Sequence, residues 1–200
     1  MLSAALLVLA MAPAGDDTIF QDGFDTVASD CPAGRQVSAN FQYGGDNSFR
    51  ERPDVDITLW DNIWGHATAL DAVVPFPGRS NAVPIFLNFD PSMYVAARID
   101  VPAGMLPNTY GWIIQTEYNH EADLTAAISP ICGDFSPTAQ HCFTQGTGGA
   151  TLVPWAVPPP NTFCLLQPGS SYYLNLKVID SSGCEASGCV IGTANNLHIP

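Results

Sequence analysis

The sequence predicts an all-β fold: one β-sandwich, Greek-key or jelly-roll in topology, built from about eight short antiparallel strands and stapled by disulfides. Three observations carry the prediction. Short stretches alternate apolar and polar residues with period two, the signature of a half-buried strand. Turn formers punctuate them, with 17 Gly and 17 Pro among 200 residues and few of the long unbranched side chains that favour helix. Six cysteines, an even number, stand at 31, 132, 142, 164, 184 and 189.

The chain opens on an apolar run from Leu2 to Met11, then small residues Ala12-Pro13-Ala14-Gly15 and the acidic pair Asp16-Asp17. This reads as a signal peptide over residues 1–14, although its n-region has no Lys or Arg. The run is about half of what a membrane-spanning helix needs, and no second one follows, so no membrane span is expected. Residues 15–30 read as an acidic linker or N-terminal arm in which Ile19, Phe20 and Phe24 offer a short docking strand. Residues 31–200 then form one domain large enough to bury a sizeable core. Export places the protein in a secreted, periplasmic or cell-surface setting, where thiols pair as disulfides rather than serve as nucleophiles or zinc ligands.

Element by element, a first strand is expected around Gln36 to Tyr43, after which Gly44-Gly45-Asp46-Asn47 marks a loop. In Met93 to Val101, Val95, Ala97, Ile99 and Val101 share one face while Arg98 and Asp100 take the other. Tyr110 to Tyr118 and Leu124 to Ser129 alternate similarly, and the intervening Asn119-His120-Glu121 predicts a hairpin joining them. Tyr172 to Ile179 gives the clearest pattern, with Tyr172, Leu174, Leu176 and Val178 inward and Gln167-Pro168-Gly169-Ser170 as a type II entry turn. Further strands are expected at Val55 to Trp60, Val83 to Phe89, Thr151 to Val157 and Val190 to Ala194.

Six cysteines allow 15 pairings. Short brackets around loops favour Cys184–Cys189 and Cys132–Cys142, leaving Cys31–Cys164 to tie the N-terminal segment to the body. His141 beside Cys142 is the one hint of zinc, but no CxxC pair accompanies it.

The charge balance, 19 acidic against 6 basic residues for a net −13, argues against nucleic acid and against anionic membrane surfaces as partners. Hydrolase signatures are missing: there is no GxSxG elbow, and Leu124 stands where a zincin that began at His120-Glu121 would need its second histidine. Glu117, Glu121 and Asp123 are the first candidates for a carboxylate-dependent hydrolase. A weak calcium candidate is Asp46, Glu51, Asp54 and Asp56 around a Gly-rich loop, with Arg50 and Arg52 beside them as competing ion-pair partners. No cofactor is expected.

The pair Trp60 and Trp64 is the leading candidate site. A separation of four places both indoles on one side of a strand or a helix. With Asp61, Asn62 and His66 alongside, they would form a platform on which sugar rings stack while polar neighbours bond hydroxyls. The competing reading is that tryptophans of this kind fill the core. Trp112 and Trp155, inside alternating strands, read as structural, and the remaining histidines as loop residues.

The segments Ile19-Phe20-Gln21-Asp22-Gly23-Phe24-Asp25, Cys132-Gly133-Asp134-Phe135 and Leu166-Gln167-Pro168-Gly169-Ser170-Ser171-Tyr172-Tyr173-Leu174-Asn175 make the chain similar to a group of exported β-rich proteins of Gram-negative bacteria with no established activity. The resemblance implies export and a β-rich domain, and carries over no catalytic residue. The expectation is therefore an exported, monomeric, non-enzymatic β-sandwich that binds a polysaccharide or a surface protein. The alternatives are a structural or adhesive subunit assembling through its N-terminal arm, and the hydrolase above.

Overall fold

The computed structural model describes residues 31–44, 49–64, 85–117, 122–139, 141–158, 162–182, 184 and 188–198. All of them fall in the second of two units into which the chain divides, Cys31–Pro200. The expected signal peptide and arm (1–30), and Asp46, His66 and Glu121, lie outside the described residues.

Twelve described strands make two sheets. The first runs in the order β1 (Arg35–Gln36), β5 (Tyr94–Asp100), β11 (Ser171–Asp180), β7 (Asp123–Ser129), β8 (Phe143–Gly146). The second is ordered β10 (Cys164–Leu165), β9 (Ala150–Ala156), β6 (Tyr110–Glu117), β12 (Cys189–His198), β4 (Ile85–Phe89), β2 (Ser38–Gly44), β3 (Phe49–Asp56). Pairing is antiparallel except where β1 joins β5 and β10 joins β9. No α-helix occurs among the described residues.

The period-two pattern explains how the sheets face each other. Val95, Ile99, Leu174, Leu176, Leu124 and Ile128 from the first sheet meet Ile113, Val153, Trp155, Ile191 and Leu197 from the second in one buried cluster. Alternate positions of each strand supply that cluster, as the pleat requires. The far face of the first sheet has its own cover: Tyr94, Ala96 and Cys132 pack with Phe135 and Tyr173 under the loop that follows β7. Buried Asn175 holds this loop, accepting the Gly133 N–H at 2.8 Å and donating to the carbonyls of Ile131 and Asp134 at 3.2 Å. The turn into β11 has the expected form, with Gly169 at φ 76° and the Ser170 N–H on the Gln167 carbonyl.

Three expectations are corrected. β6 and β7 are not a hairpin: β6 pairs with β9 and β12, and β7 with β11 and β8. Gly149 takes the place of the turn, accepting the Glu117 N–H and donating to the Ala122 carbonyl, so the backbone groups at the strand ends are satisfied while the chain crosses between sheets. The expected strands at Gln36–Tyr43 and Val55–Trp60 each divide between sheets in the same way. The chain leaves the first sheet at Val37, and after Ile57 residues 58–60 run along β5, with the Trp60 N–H on the Arg98 carbonyl at 2.8 Å.

The disulfides are Cys31–Cys132, Cys142–Cys164 and Cys184–Cys189. Cys184–Cys189 is the local bridge the spacing favours; the pairs Cys31–Cys164 and Cys132–Cys142 do not form. Cys132 ends up beside the N-terminal segment because both flank Tyr94, whose hydroxyl donates to the Pro32 carbonyl at 2.6 Å. Cys142 enters β8 of the first sheet and Cys164 opens β10 of the second, so their bridge ties the sheets together.

Candidate functional site

Trp60 and Trp64 lie in the core, at 8% and 6% exposure. Asp61–Trp64 form one 3-10 turn that rolls both indoles against β5 and β12. Trp64 donates from Nε1 to the Asp100 carbonyl at 2.7 Å and meets Trp155 edge to face, with centroids 4.9 Å apart. Asn195, fully buried on β12, locks this arrangement: its Oδ1 accepts the Trp155 indole N–H at 2.8 Å, and its Nδ2 donates to the Ile63 carbonyl at 2.7 Å. Neither indole offers a ring face to solvent, so the expected platform of Trp60, Asp61, Asn62, Trp64 and His66 is corrected: its two tryptophans close the sandwich instead. A burial-driven 3-10 turn at the sandwich edge outcompetes an exposed platform, because each buried indole removes a large apolar area from water.

Of the acidic candidates, Glu51, Asp54 and Asp56 belong to one strand, β3, whereas Glu117 and Asp123 belong to strands of different sheets. Asp56 is exposed and its carboxylate accepts the Thr58 N–H and hydroxyl at 2.8 and 2.6 Å, a local turn that needs no ion. Glu51 and Asp54 lie on β3. Glu117 is buried at the end of β6, whereas Asp123 begins β7 in the other sheet, so the crossover removes the hairpin tip that was to unite them. Among the described residues no three His, Cys, Asp or Glu side chains group as metal ligands.

The structure instead gathers aromatic side chains on the outer face of the second sheet. β6 faces inward with Ile113, Gln115 and Glu117, so Tyr110, Trp112 and Ile114 point away from the core. Register does the rest. Tyr110 lies opposite His198 on β12 and Ala156 on β9, and Trp112 lies opposite Pro154. Trp155, between Pro154 and Ala156, is wholly buried, which sends its two neighbours to the outer face. β10 pairs in parallel with β9, which brings Phe163 and exposed Leu165 alongside.

The result is a cluster of four rings. Tyr110 stacks on His198 (5.0 Å, 10°), while Trp112 stands perpendicular to both, at 5.4 Å and 87° from Tyr110 and 5.2 Å and 86° from His198. Phe163 closes one side, 6.2 Å from Tyr110 and 6.5 Å from Trp112. Tyr110 and His198 are exposed, and Trp112 and Phe163 half-buried. Leu152, 41% exposed, extends the face beyond Ile114. The sequences of β9, β10 and β12 contain no Asp, Glu, Lys or Arg, and the only one in β6, Glu117, points inward. A protein with 25 Asp, Glu, Lys and Arg side chains (19 acidic and 6 basic) thus keeps them off the outer face of β10, β9, β6 and β12.

From the sequence alone Trp112 reads as a structural residue and His198 as a loop histidine. The available signal was parity: Trp112 and Tyr110 share a phase with Ile114, opposite to Ile113, Gln115 and Glu117, and only the partner strands decide which phase is buried. Comparisons of the chain with protein-family models, with curated proteins and with solved structures return no match.

Proposed function

We propose that this protein is an exported, non-enzymatic β-sandwich that binds a neutral carbohydrate on the outer face of β10, β9, β6 and β12, with Tyr110, Trp112, Phe163 and His198 as the contact residues. The observation that carries the reading is the exposed aromatic cluster on an uncharged sheet face. A contiguous apolar patch with polar tips at its rim is the kind of surface that receives a ligand. Sugars present apolar C–H faces to aromatic rings and hydroxyls to polar tips, and this cluster offers both. A net charge of −13 disfavours anionic glycans and nucleic acid alike. Three disulfides support an oxidising compartment outside the cytoplasm.

Assembly by strand addition has less support. Three of the four sheet edges are strands of two to four residues, and the fourth, β3, carries Arg50, Glu51, Arg52 and Pro53, a composition that discourages edge pairing.

The test is affinity electrophoresis and calorimetry of the disulfide-intact protein against a panel of neutral polysaccharides. Retention on at least one, reduced about tenfold or more by Trp112→Ala or Tyr110→Ala with unchanged thermal unfolding, is the expected result; a loss of about 1.4 kcal/mol corresponds to that factor. Binding that survives both substitutions places the ligand elsewhere and refutes the assignment.

A further inference from the structure

The angles between the rings bear on what form of carbohydrate fits. A crystalline polysaccharide presents a flat array of sugar faces, and a surface that binds it must offer aromatic rings lying in one plane and spaced along a line. This cluster does neither. Trp112 stands 87° from Tyr110 and 86° from His198, and Phe163 is turned 61° from Trp112 and 42° from Tyr110. All of these centroids lie within 6.5 Å of a neighbour, so the rings are packed in mutual contact and not strung out along a chain. Two walls meet at a right angle: the indole forms one, and the stacked Tyr110–His198 pair forms the other.

We infer that this corner receives a single pyranose unit of a soluble, neutral oligosaccharide, one apolar face against an aromatic wall and its rim against the perpendicular one, and that it does not bind crystalline polysaccharide surfaces. The inference rests on the carbohydrate reading above and narrows its ligand class. Polar groups are available where the hydroxyls would lie. Tyr110 Oη, Trp112 Nε1 and the imidazole of His198 take part in no hydrogen bond with another described residue, and none of them is a buried atom lacking a partner. A phenol, an indole and an imidazole together supply donors and acceptors at the edge of an apolar corner, which is the combination that fixes the orientation of a bound sugar. Because the corner spans little more than one ring, affinity should saturate with chain length.

The experiment pairs two probe types on the same full-length, disulfide-intact protein. Calorimetry is run with neutral cello-, xylo-, manno- and chito-oligosaccharides from two to six units, and depletion is measured on crystalline cellulose and crystalline chitin. Saturable binding to a soluble series, with less than a threefold gain in affinity from the trimer to the hexamer and no depletion by either crystalline solid, is the expected outcome. Depletion by a crystalline solid without soluble binding, or a gain of tenfold or more from trimer to hexamer, overturns the corner geometry while leaving carbohydrate binding intact. Failure of every soluble and insoluble probe overturns the carbohydrate reading itself. Two variants read the walls separately: Tyr110→Phe keeps the ring and loses the hydroxyl, and Phe163→Ala opens the side of the corner. For the series that binds, each should weaken affinity by at least threefold with unaltered unfolding, and wild-type affinity in both variants counts against the corner.

Discussion

Replacing Asn195 by Leu removes the anchor between the aromatic core and the 3-10 turn. The side chain has 0% exposure and makes two bonds, accepting from the Trp155 indole at 2.8 Å and donating to the Ile63 carbonyl at 2.7 Å. Leu repeats the branching and heavy-atom count of Asn with bulkier methyl groups, so no cavity opens, and overpacking adds to the loss of the two hydrogen bonds. An indole N–H and a backbone carbonyl are then left buried without partners, at about 1–3 kcal/mol each, for a total of about 2–6 kcal/mol. Against a domain stability of about 5–15 kcal/mol, that shifts the urea midpoint markedly at unchanged m-value. Tryptophan fluorescence is the natural probe, since Trp64 and Trp155 are in contact. Gln145→Ala, at an exposed position on β8, should move the midpoint by less than about 0.5 kcal/mol and serves as the control. In a double-mutant cycle with Trp155→Phe, the two changes should be less than additive by about 0.5–3 kcal/mol, because each deletes the same bond. Asn195→Leu behaving like Gln145→Ala, or full additivity in the cycle, would refute the reasoning.

Gln115, Thr151 and Thr193 lie side by side across β6, β9 and β12, buried, and the Gln115 amide and both threonine hydroxyls have no hydrogen-bond partner. Gln115→Met should therefore stabilise the protein by about 1–3 kcal/mol in chemical denaturation, and destabilisation would mean that the amide is paired after all. Serine replacement of the disulfides should cost most for Cys31–Cys132, which closes 101 residues, less for Cys142–Cys164 at 22, and least for Cys184–Cys189 at 5: about 4.7, 3.4 and 2 kcal/mol by the chain-entropy argument. Peptide mapping under non-reducing conditions checks the pairing, and a reversed order of midpoints would show that loop entropy is not the controlling effect. Burial pushes the Tyr94 hydroxyl above its usual value of 10.0, with the nearby Arg35 charge opposing the shift. The folded state then holds the phenolic proton more tightly than the unfolded one, so this contribution is complete below pH 10 and is lost as pH rises through the folded value. Unfolding midpoints followed across that range should fall more steeply for the wild type than for Tyr94→Phe, and parallel curves would exclude Tyr94 as the source.

Period-two alternation located most of the strands because it is a local property of the pleat, visible without knowing the partner. Tyr172 to Ile179 illustrates this, since Leu174, Leu176 and Val178 are buried as their parity requires. What alternation does not contain is which sheet a strand joins. The 118–122 link looked like a hairpin turn, yet Gly149 from a distant connection supplies the hydrogen bonds that allow a crossover. The same nonlocality separates Cys31–Cys132 and Cys142–Cys164 from the pairing that loop length favours, which holds only for Cys184–Cys189, because the pairs are set by which strand ends meet.

β6 shows why the site itself was hidden. Judged alone, its better core face is Tyr110, Trp112 and Ile114, and its poorer one is Ile113, Gln115 and Glu117; a shift of register by one residue would exchange them. The strand nevertheless buries the poorer face, since β9 commits Val153 and Trp155 to the core and β12 commits Ile191, Asn195 and Leu197, and β6 pairs in register with both. Two neighbours with strong inward sets outweigh the preference of the strand between them. The arrangement costs stability on each face, by burying an unpaired amide at Gln115 and by leaving Trp112 partly in water. The inward sets of β9 and β12 thus leave Tyr110 and Trp112 facing outward, and these rings, rather than the buried Trp60 and Trp64, are the place to look for a ligand.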